Sequence, residues 1–409
     1  MDLSSEQRCR LSGGALEVVL DLGRQPLGNG FLASVDEPEY FYSLRCGFNP
    51  ESRLFQLVDQ PAPELMFHDN YAFFSGTSRR MGDHFEAFAD SVIRRGFVSD
   101  DGFVVELGSN DGILLRHFAN RGIQHLGIEP SGAVADAAER QGIRVSREFF
   151  GPTLAARILD EDGPADVVMA ANVMCHIPDI VGLARGIALL LKPDGVLIFE
   201  DPYLGDVVRL GSYDQIYDEH VFLFSALSVK EIFASVGMEL IDVEPQTTHG
   251  GSMRYTLAKV GSREPSAAVE KLLSEERAQG LHIVETFREF AVRVEESGRA
   301  LRSTLEDLAS QGQRVAAYGA TSKSTTVYNY AGVGPDLISL VYDNTSSKIG
   351  KFTPGVHIPV VDESRFATDA PDVAFLAAWN HEREIVDRHS IFAEQGGRWL
   401  THVPQVRFL

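Results

Sequence analysis

"VVELGSNDG", residues 104–112, joins a mostly apolar run to a turn that contains two glycines. The run has the composition of a strand that is buried on both faces, as in a parallel sheet covered by helices. Gly108 and Gly112 have no Cβ, so the backbone of the turn can approach a ligand closely. The stretch therefore predicts the first strand and the ligand-binding turn of an α/β domain.

Apolar strands and helical segments alternate around this turn. A helical stretch from Phe85 to Arg95 precedes it. The predicted strands are Phe103–Leu107, His125–Ile128, Asp166–Ala170 and Gly195–Glu200. Strands that recur with helices between them predict a parallel, helix-covered sheet. The middle of the chain is therefore expected to be a Rossmann-like α/β domain.

Two other regions flank this domain. Residues 1–70 are rich in turn-forming residues, which predicts a small irregular N-terminal domain. Residues 262–311 carry apolar residues at helical spacing, which predicts one long helix or a helical pair. "RVAAYGA" (314–320) then starts a second α/β rhythm, with strands near Leu337–Tyr342 and Val373–Ala377. The expected domains are residues 1–70, 71–262 and 263–409.

Composition limits the classes of function. The chain has 409 residues, of which 44% are hydrophobic and 23% charged, as in ordinary folded proteins. It shows neither a signal peptide nor an apolar run of about 20 residues, and its three cysteines are widely spaced. A cytoplasmic protein is expected. A net charge of −21 disfavours binding to nucleic acid and to anionic membranes, so a phosphate-bearing ligand requires a local cluster of donors.

The glycine turn and the acids around it predict the cofactor. Glu129 follows Gly108 by 21 residues, at the end of the next strand, where it can accept hydrogen bonds from the ribose hydroxyls of an adenosine. That spacing also fits a nicotinamide cofactor. Glu106 and Asp111, however, place acids beside the turn, which suits an ammonium and a sulfonium better than a pyrophosphate. The pattern favours S-adenosylmethionine.

Five further segments carry a resemblance to a known family. They are "NYAFFSGTS" (70–78), "ANVMCHIPD" (171–179), "YDEHVFLFS" (217–225), "HGGSMRY" (249–255) and "AYGATSKS" (317–324). With the glycine turn, they resemble the class I S-adenosylmethionine-dependent methyltransferases and, over the whole chain, the nucleotide-sugar C-methyltransferases of deoxysugar biosynthesis. The resemblance implies three domains, with a dTDP-linked keto-sugar bound between the central and C-terminal domains.

The resemblance also assigns the residues of the reacting centre. It implies His220 as base, Tyr217 as hydrogen-bond donor, Glu219 as orienting or sugar-binding carboxylate, His176 near the transferred methyl group, and Tyr71 reaching in from the N-terminal side. The implied cofactor contacts are Glu106, Gly108, Asn110, Asp111, Gly112, Glu129 and Asn172, and Asn172 is also implied for the substrate. Asp218 is expected to be structural, as a helix N-cap.

Two glycine-containing segments are candidate diphosphate sites. Ser252 and Arg254 offer a hydroxyl and a guanidinium beside two glycines. Ser322 and Lys323 follow Gly319 at a predicted strand-to-helix junction. The alternative for the second segment is a structural glycine turn with a solvated lysine.

The N-terminal cysteines bear on zinc. Relatives of the family carry two C-x-x-C pairs that form a structural zinc site. This chain has Cys9 and Cys46, with Ser12 and Asn49 at the partner positions, and neither is a usual zinc ligand. No bound metal is therefore expected, and the N-terminal domain is expected to be held by packing.

Methylating a carbon requires a carbanion equivalent, which is formed most easily next to a ketone. A base removes the proton, a donor stabilises the enolate, and the methyl group lies in line. Together with this chemistry, the resemblance implies methylation at C3 of a dTDP-4-keto-deoxysugar, with His220 or His176 as base, and a monomer or weak oligomer is expected. The alternatives are an NADPH-dependent 4-ketoreductase, alone or as a second activity, and a silent sugar-nucleotide-binding subunit.

Overall fold

The computed structural model describes residues 7–62, Met66 and 79–409. Tyr71, predicted to enter the site, lies outside the described residues. The described part contains a four-stranded, a seven-stranded and a six-stranded sheet with helices between them. This arrangement confirms the predicted α/β fold class.

The four-stranded sheet is built mainly by the N-terminal segment. Its strands are β1 (Glu17–Pro26), β2 (Phe41–Asn49), β3 (Leu54–Leu57) and β9 (Phe222–Leu223), all antiparallel and in that order. The prediction of an irregular domain was wrong. Register shifts between Val18 and Leu20 and between Asp21 and Arg24 interrupt the pairing of β1 with β2, and such bulges erase the alternation that reveals a strand.

The seven-stranded sheet has the order β10-β11-β8-β7-β4-β5-β6. Its strands are β4 (Phe103–Leu107), β5 (Gln124–Ile128), β6 (Val145–Ser146), β7 (Ala165–Ala171), β8 (Leu191–Pro202), β10 (Met238–Gln246) and β11 (Ser252–Lys259). Strands β4 to β8 are parallel, whereas β11 is antiparallel to both β8 and β10. The first strand, β4, lies between β5 and β7, which creates a switch point at its carboxyl end.

Helices cover both faces of this sheet. They are α1 (Arg79–Arg94), α2 (Arg116–Ala119), α3 (Gly132–Arg140), α4 (Pro152–Asp162), α5 (Ile180–Leu190), α6 (Leu204–Leu210) and α7 (Ala226–Ala234). Neighbours on one strand belong to different cores: Val104 packs into one cluster and Val105 into the other. Each such buried side chain contributes about 1.5–3 kcal/mol, which explains why apolar runs mark these strands.

Two helices lead to the C-terminal domain, α8 (Ala267–Ala278) and α9 (Val284–Ser310), as predicted for a helical pair. The six-stranded sheet follows, in the order β14-β13-β12-β15-β16-β17. Its strands are β12 (Val315–Tyr318), β13 (Val341–Asp343), β14 (Val360–Asp362), β15 (Val373–Leu376), β16 (Arg398–Thr401) and β17 (Arg407–Phe408). Its helices are α10 (Ser322–Ala331), α11 (Glu382–Arg388) and α12 (Ser390–Glu394).

The predicted strand at Leu337–Tyr342 starts late. Leu337 and Ile338 are buried, but their N–H groups donate to the carbonyl oxygen of Gly334 in a turn. A buried turn and a strand thus give the same apolar run.

In the part of the chain that the structure describes, each helix falls short of the length or the apolarity needed to cross a membrane.

Candidate active site

The turn after β4 uses backbone conformations that few residues adopt. Gly108, Asn110 and Gly112 have φ angles of 62°, 49° and 79°, in the left-handed region. A side chain at Gly108 is excluded, because its Cβ would lie 2.3 Å from Cγ2 of Val173. Val173 follows β7, so the turn is pressed against the loop at the end of the neighbouring strand. Ligands of such sheets bind at this switch point.

Glu129 stands at the end of β5, beside this turn. Its Oε2 accepts a hydrogen bond from the N–H of Asn110 over 3.0 Å, and its Oε1 accepts one from the N–H of Ser131 over 2.9 Å. The two bonds fix the carboxylate, and each oxygen keeps a lone pair. This position fits the predicted contact with the ribose of the cofactor.

Three acids meet at the turn. Burial raises the pKa of Glu106 well above its ordinary value, and Asp111 and Glu129 raise it further. Oε2 of Glu106 is buried and has no hydrogen-bond partner among the described residues. An unsatisfied buried carboxyl is costly, so a donor or cation from a ligand would stabilise it. The three carboxyl groups fit S-adenosylmethionine, because its ammonium and sulfonium groups are positively charged.

Asn172 lies at the end of β7, between the cofactor turn and the reacting centre. Its φ is 55°, and its N–H donates to the carbonyl oxygen of Glu200 over 2.8 Å. The side-chain Oδ1 is buried and has no hydrogen-bond partner in the part of the chain that the structure describes. It therefore offers an acceptor to the cofactor or to the substrate.

The structure brings the two candidate bases together. His176 ends a short 3₁₀ turn after β7, and His220 precedes β9. Their rings are stacked, with centroids 5.3 Å apart and an interplanar angle of 25°. Because Val173 touches the cofactor turn, the histidine pair lies close to the bound cofactor expected there.

His220 is held in one tautomer. Its Nδ1 lies 2.6 Å from the carbonyl oxygen of Gln215, which can only accept, so Nδ1 carries the proton. Nε2 keeps its lone pair and lies 2.8 Å from the hydroxyl of Tyr217, which donates to it. Burial lowers the pKa of His220 well below its usual value, and His176 and Lys323 lower it further. The imidazole is therefore neutral and able to accept a proton at neutral pH.

Asp218 is structural, but the predicted helix N-cap was wrong. The next helix, α7, is capped by Ser225, whose side chain accepts from the N–H of Ser228. Asp218 Oδ1 instead accepts from the N–H of Gly28 over 3.0 Å. Burial raises the pKa of Asp218 to about 8, and Glu219 raises it as well. Asp218 thus joins residues 217–220, called here the reacting segment, to the N-terminal domain.

The partner of Glu219 was missed from the sequence. Glu219 Oε1 accepts from Nδ2 of Asn29 over 2.8 Å, although 190 residues separate the two. The only sequence signal is the G-N-G triplet at residues 28–30, which indicates a turn and no more.

The first diphosphate candidate is occupied by other groups. Arg254 donates to Oε2 of Glu200 over 2.8 and 3.0 Å, and its guanidinium lies 3.8 Å from the ring centroid of Phe88. Burial alone would raise the pKa of Glu200, but His84 and Arg254 hold it below its usual value. Ser252 is buried, and its hydroxyl donates to a main-chain carbonyl. The diphosphate contact stays a prediction, and it would require this ion pair to open.

The second diphosphate candidate faces the cleft. Ser322 opens α10 directly after the N-cap Thr321. Lys323 Nζ donates to the carbonyl oxygen of His249 over 3.2 Å, and burial lowers its pKa to about 8. The alternative of a solvated lysine is therefore wrong.

Lys323 belongs to a group of histidines, of which the sequence did not single out His84, His249 and His381. Burial lowers the pKa of His249 to about 3, and neighbouring cations lower it further. His249 has a left-handed φ of 55°, and a Cβ at the next residue, Gly250, would lie 2.1 Å from the ring of Trp379. The electrostatically coupled basic groups are His84, His176, His220, His249, His381 and Lys323. Because the pKa values of His176, His220 and His249 are lowered, these imidazoles are neutral at neutral pH, and Lys323 is the member of this basic cleft that can carry positive charge there.

The N-terminal donor set does not fit a structural zinc ion. Cys9 Sγ lies 3.1 Å from Oγ of Ser52, and this hydroxyl donates a hydrogen bond to Oδ1 of Asn49. Cys46 is fully buried, and burial raises the pKa of its thiol. Among the described residues of this segment, two thiols, a serine and an asparagine do not close a tetrahedral zinc site.

One group of potential metal ligands remains in the described residues: Cys175, His176 and His220, with ligand atoms within 4.8 Å of one another. Burial raises the pKa of the Cys175 thiol well above its usual value, and the nearby Asp201 raises it further. A protonated thiol is a poor ligand, so this group belongs to the reacting centre.

Three protein-family models match the chain. One described as "C-methyltransferase C-terminal domain" matches residues 247–404, and one described as "Methyltransferase domain" matches residues 79–243. One described as "Putative zinc binding domain" matches residues 9–67, which include Cys9 and Cys46.

The relatives agree with these models. C-methyltransferase NovU from Streptomyces niveus is 31% identical over 406 residues, which cover 98% of this chain and 96% of that protein. A ubiquinone biosynthesis O-methyltransferase from Idiomarina loihiensis is 28% identical over 115 residues, 26% of this chain and 47% of its own. The structure of magnesium protoporphyrin IX methyltransferase (ChlM) from Synechocystis PCC 6803 with bound SAM covers 44% of this chain and 79% of its own at 14% identity, with a TM-score of 0.34. Because similarity to a C-methyltransferase extends over nearly the whole chain, the chain belongs to the family of S-adenosylmethionine-dependent C-methyltransferases.

Proposed function

We propose that this C-methyltransferase methylates C3 of a dTDP-linked 4-keto-deoxysugar. The resemblance of its segments to nucleotide-sugar C-methyltransferases suggests this substrate class. Lys323, whose ammonium group lies beside the main chain of His249, supports an anionic ligand such as a diphosphate. The three acids at the β4 turn support a cationic methyl donor there.

The observation that carries the proposal is the fixed tautomer of His220. Its Nδ1–H is held by the carbonyl oxygen of Gln215, so the lone pair is on Nε2, where it accepts from the Tyr217 hydroxyl until that hydroxyl turns to the substrate. A base with this geometry suits removal of a proton next to a ketone. We assign the base to His220, because its contact with the carbonyl oxygen of Gln215 fixes which ring nitrogen can take a proton.

The proposed reaction is a proton removal followed by methyl transfer. Nε2 of His220 takes the C3 proton, and the C–H electron pair moves into the C4 ketone as an enolate. The hydroxyl of Tyr217, which donates to Nε2 of His220 in the structure, turns to the enolate oxygen and donates to it. At the β4 turn, Glu106 and Glu129 would hold S-adenosylmethionine, which would supply an electrophilic methyl group with a neutral thioether as the leaving group. The enolate carbon takes the methyl, the ketone forms again, and His220 releases its proton to solvent.

The rival reductase finds less support. Sheets with the strand order of the C-terminal domain can bind dinucleotides at the turn from first strand to helix, here β12 to α10. A Cβ at Gly28 would lie 3.1 Å from Cβ of Ser322, so the N-terminal segment packs against the start of α10. The Asp343 carboxylate already accepts from the N–H groups of Ala320 and Thr345, both over 2.7 Å.

Mass spectrometry of the products tests the proposal. The enzyme is incubated with S-adenosylmethionine and a panel of 4-keto and 4-hydroxy sugar nucleotides, with and without NADPH. We expect one added methyl group on a 4-keto compound only, and NMR should locate it at C3. Methylation of the 4-hydroxy control, or at another carbon, would contradict the proposed chemistry. A gain of two hydrogens with NADPH would establish the reductase instead.

A further inference from the structure

The N-terminal domain reaches the reacting centre through one loop. Residues 27–32, called here the N-terminal loop, lie between residues 215–220 and the C-terminal domain. The N–H of Gly28 donates to Asp218, and its carbonyl oxygen accepts from the hydroxyl of Thr325 over 3.0 Å. Leu32 exchanges main-chain hydrogen bonds with Phe352 over 2.8 and 3.1 Å. The loop is therefore held on two sides.

Asn29 is the residue of this loop that contacts the predicted site. Its Nδ2 donates to Oε1 of Glu219 over 2.8 Å. Glu219 is only 4% exposed, so its carboxylate has little water to orient it. A hydrogen bond to a charged acceptor in such a place is among the stronger ones in proteins. The direction of the Glu219 side chain thus depends on a residue from another domain.

The position of Asn29 is itself set by a close contact. Gly28 fits between Asp218 and α10 only without a side chain, since a Cβ would lie 2.9 Å from Oδ1 of Asp218. The N–H of Gly30 donates back to the carbonyl oxygen of Leu27 over 3.1 Å, which closes a tight turn. The turn presents Asn29 to Glu219.

We propose that Asn29 is a positioning residue of the methyl-transfer reaction, which holds the carboxylate of Glu219 in the direction that the sugar requires. The inference rests on the proposed function, because it takes Glu219 as a sugar-binding carboxylate. It gives the N-terminal domain, which does not fit zinc, a part in the chemistry: the site is complete only when this domain is docked.

A double-mutant cycle tests the proposal. Asn29→Asp keeps the shape of the side chain but places a carboxylate against Glu219, and Glu219→Gln removes the charge that it would repel. The readout is exchange of the C3 hydrogen of the keto-sugar nucleotide for deuterium, followed by NMR with S-adenosylhomocysteine present. We expect Asn29→Asp to slow exchange by about tenfold or more, with S-adenosylhomocysteine affinity unchanged. In the Glu219→Gln background the same change should cost less than about threefold.

Control measurements distinguish a failure of the role proposed for Asn29 from a failure of the proposed function. Asn49→Ala weakens the same domain away from Glu219, and it should lower the unfolding temperature without slowing exchange at a temperature where the protein is folded. Equal losses from Asn29→Asp in both backgrounds, or none, would overturn the role of Asn29. If the wild-type protein exchanges no C3 hydrogen, the proposed function fails. The cycle is then measured on the unfolding midpoint, where additive effects would overturn the Asn29–Glu219 contact itself.

Discussion

The imidazole of His220 donates from Nδ1 to the main-chain carbonyl oxygen of Gln215, 2.6 Å away. Replacing His220 by Asn removes the base but leaves the cofactor turn untouched. We expect methyl transfer to fall by about 10²–10⁴-fold, the usual contribution of a positioned base. S-adenosylmethionine affinity, measured by calorimetry, should change less than about twofold, and full activity in this variant would refute the assignment.

The low pKa of His220 predicts the pH dependence of the reaction. A free histidine would lose its basic form below about pH 6.5, but burial, His176 and Lys323 keep His220 neutral in more acid solution. The kcat/KM of the enzyme should therefore hold below that pH. The Tyr217 hydroxyl favours the neutral form by donating to Nε2, so Tyr217→Phe should move the acid limb of the profile upward. A downward shift would show that Tyr217 acts otherwise.

The free energy of unfolding should decrease in acid, because burial also lowers the pKa of His176. Burial lowers the pKa of His176 to about 4, so between pH 6.5 and 4 the unfolded chain binds a proton at this position and the folded protein does not. The free energy of unfolding should decrease by at most about 1.4 kcal/mol per pH unit for this histidine over that window. Urea unfolding at pH 7, 6 and 5 measures the slope. His176→Gln should make it shallower, and an unchanged slope would contradict the prediction.

The glycine turn allows a matched pair of substitutions. Gly108→Ala and Gly96→Ala both place a Cβ on a left-handed backbone, with φ of 62° and 64°. Such strain costs about 1–2 kcal/mol. The Cβ at Gly96 meets nothing within 4 Å, whereas the one at Gly108 collides with Val173. Overpacking of this kind costs about 1.4 kcal/mol or more, which corresponds to a tenfold loss of affinity. We therefore expect Gly108→Ala alone to weaken S-adenosylmethionine binding, by about tenfold or more.

The N-terminal donor set predicts the metal content. Elemental analysis of the purified protein should find well below one zinc per chain. Ser12→Cys together with Asn49→Cys supplies the two missing thiols, and this variant should bind one zinc and unfold at a higher temperature when zinc is present. Stoichiometric zinc in the wild-type protein would contradict the reading of Cys9 and Cys46 as metal-free.

The sequence predicts elements best where burial is continuous. Strand β4 was placed to the residue at Phe103–Leu107, because a strand covered on both faces is an unbroken apolar run. Strand β1 was missed, because its bulges and its exposed positions break the alternation that marks a half-buried strand. Local pattern is informative only when each face of an element keeps one environment along its length.

Partners of charged residues were out of reach of the sequence. Arg254 reads as a free cation beside two glycines, but its partner Glu200 is 54 residues away and reaches it only through the pairing of β8 with β11. Asn29 and Glu219 meet across domains in the same way. The reacting segment was found because its residues are adjacent along the chain, whereas the residues that support it are adjacent only in space.

The pairing of β3 with β9 has a consequence for engineering. Phe222 and Leu223 belong to the N-terminal sheet, although only Val221 separates them from His220 in the chain. A chimera that removes the first strands would leave these two apolar residues on an open sheet edge, which invites aggregation. Swapping specificity between relatives would therefore require the N-terminal segment and residues 215–224 to be exchanged as one interwoven unit.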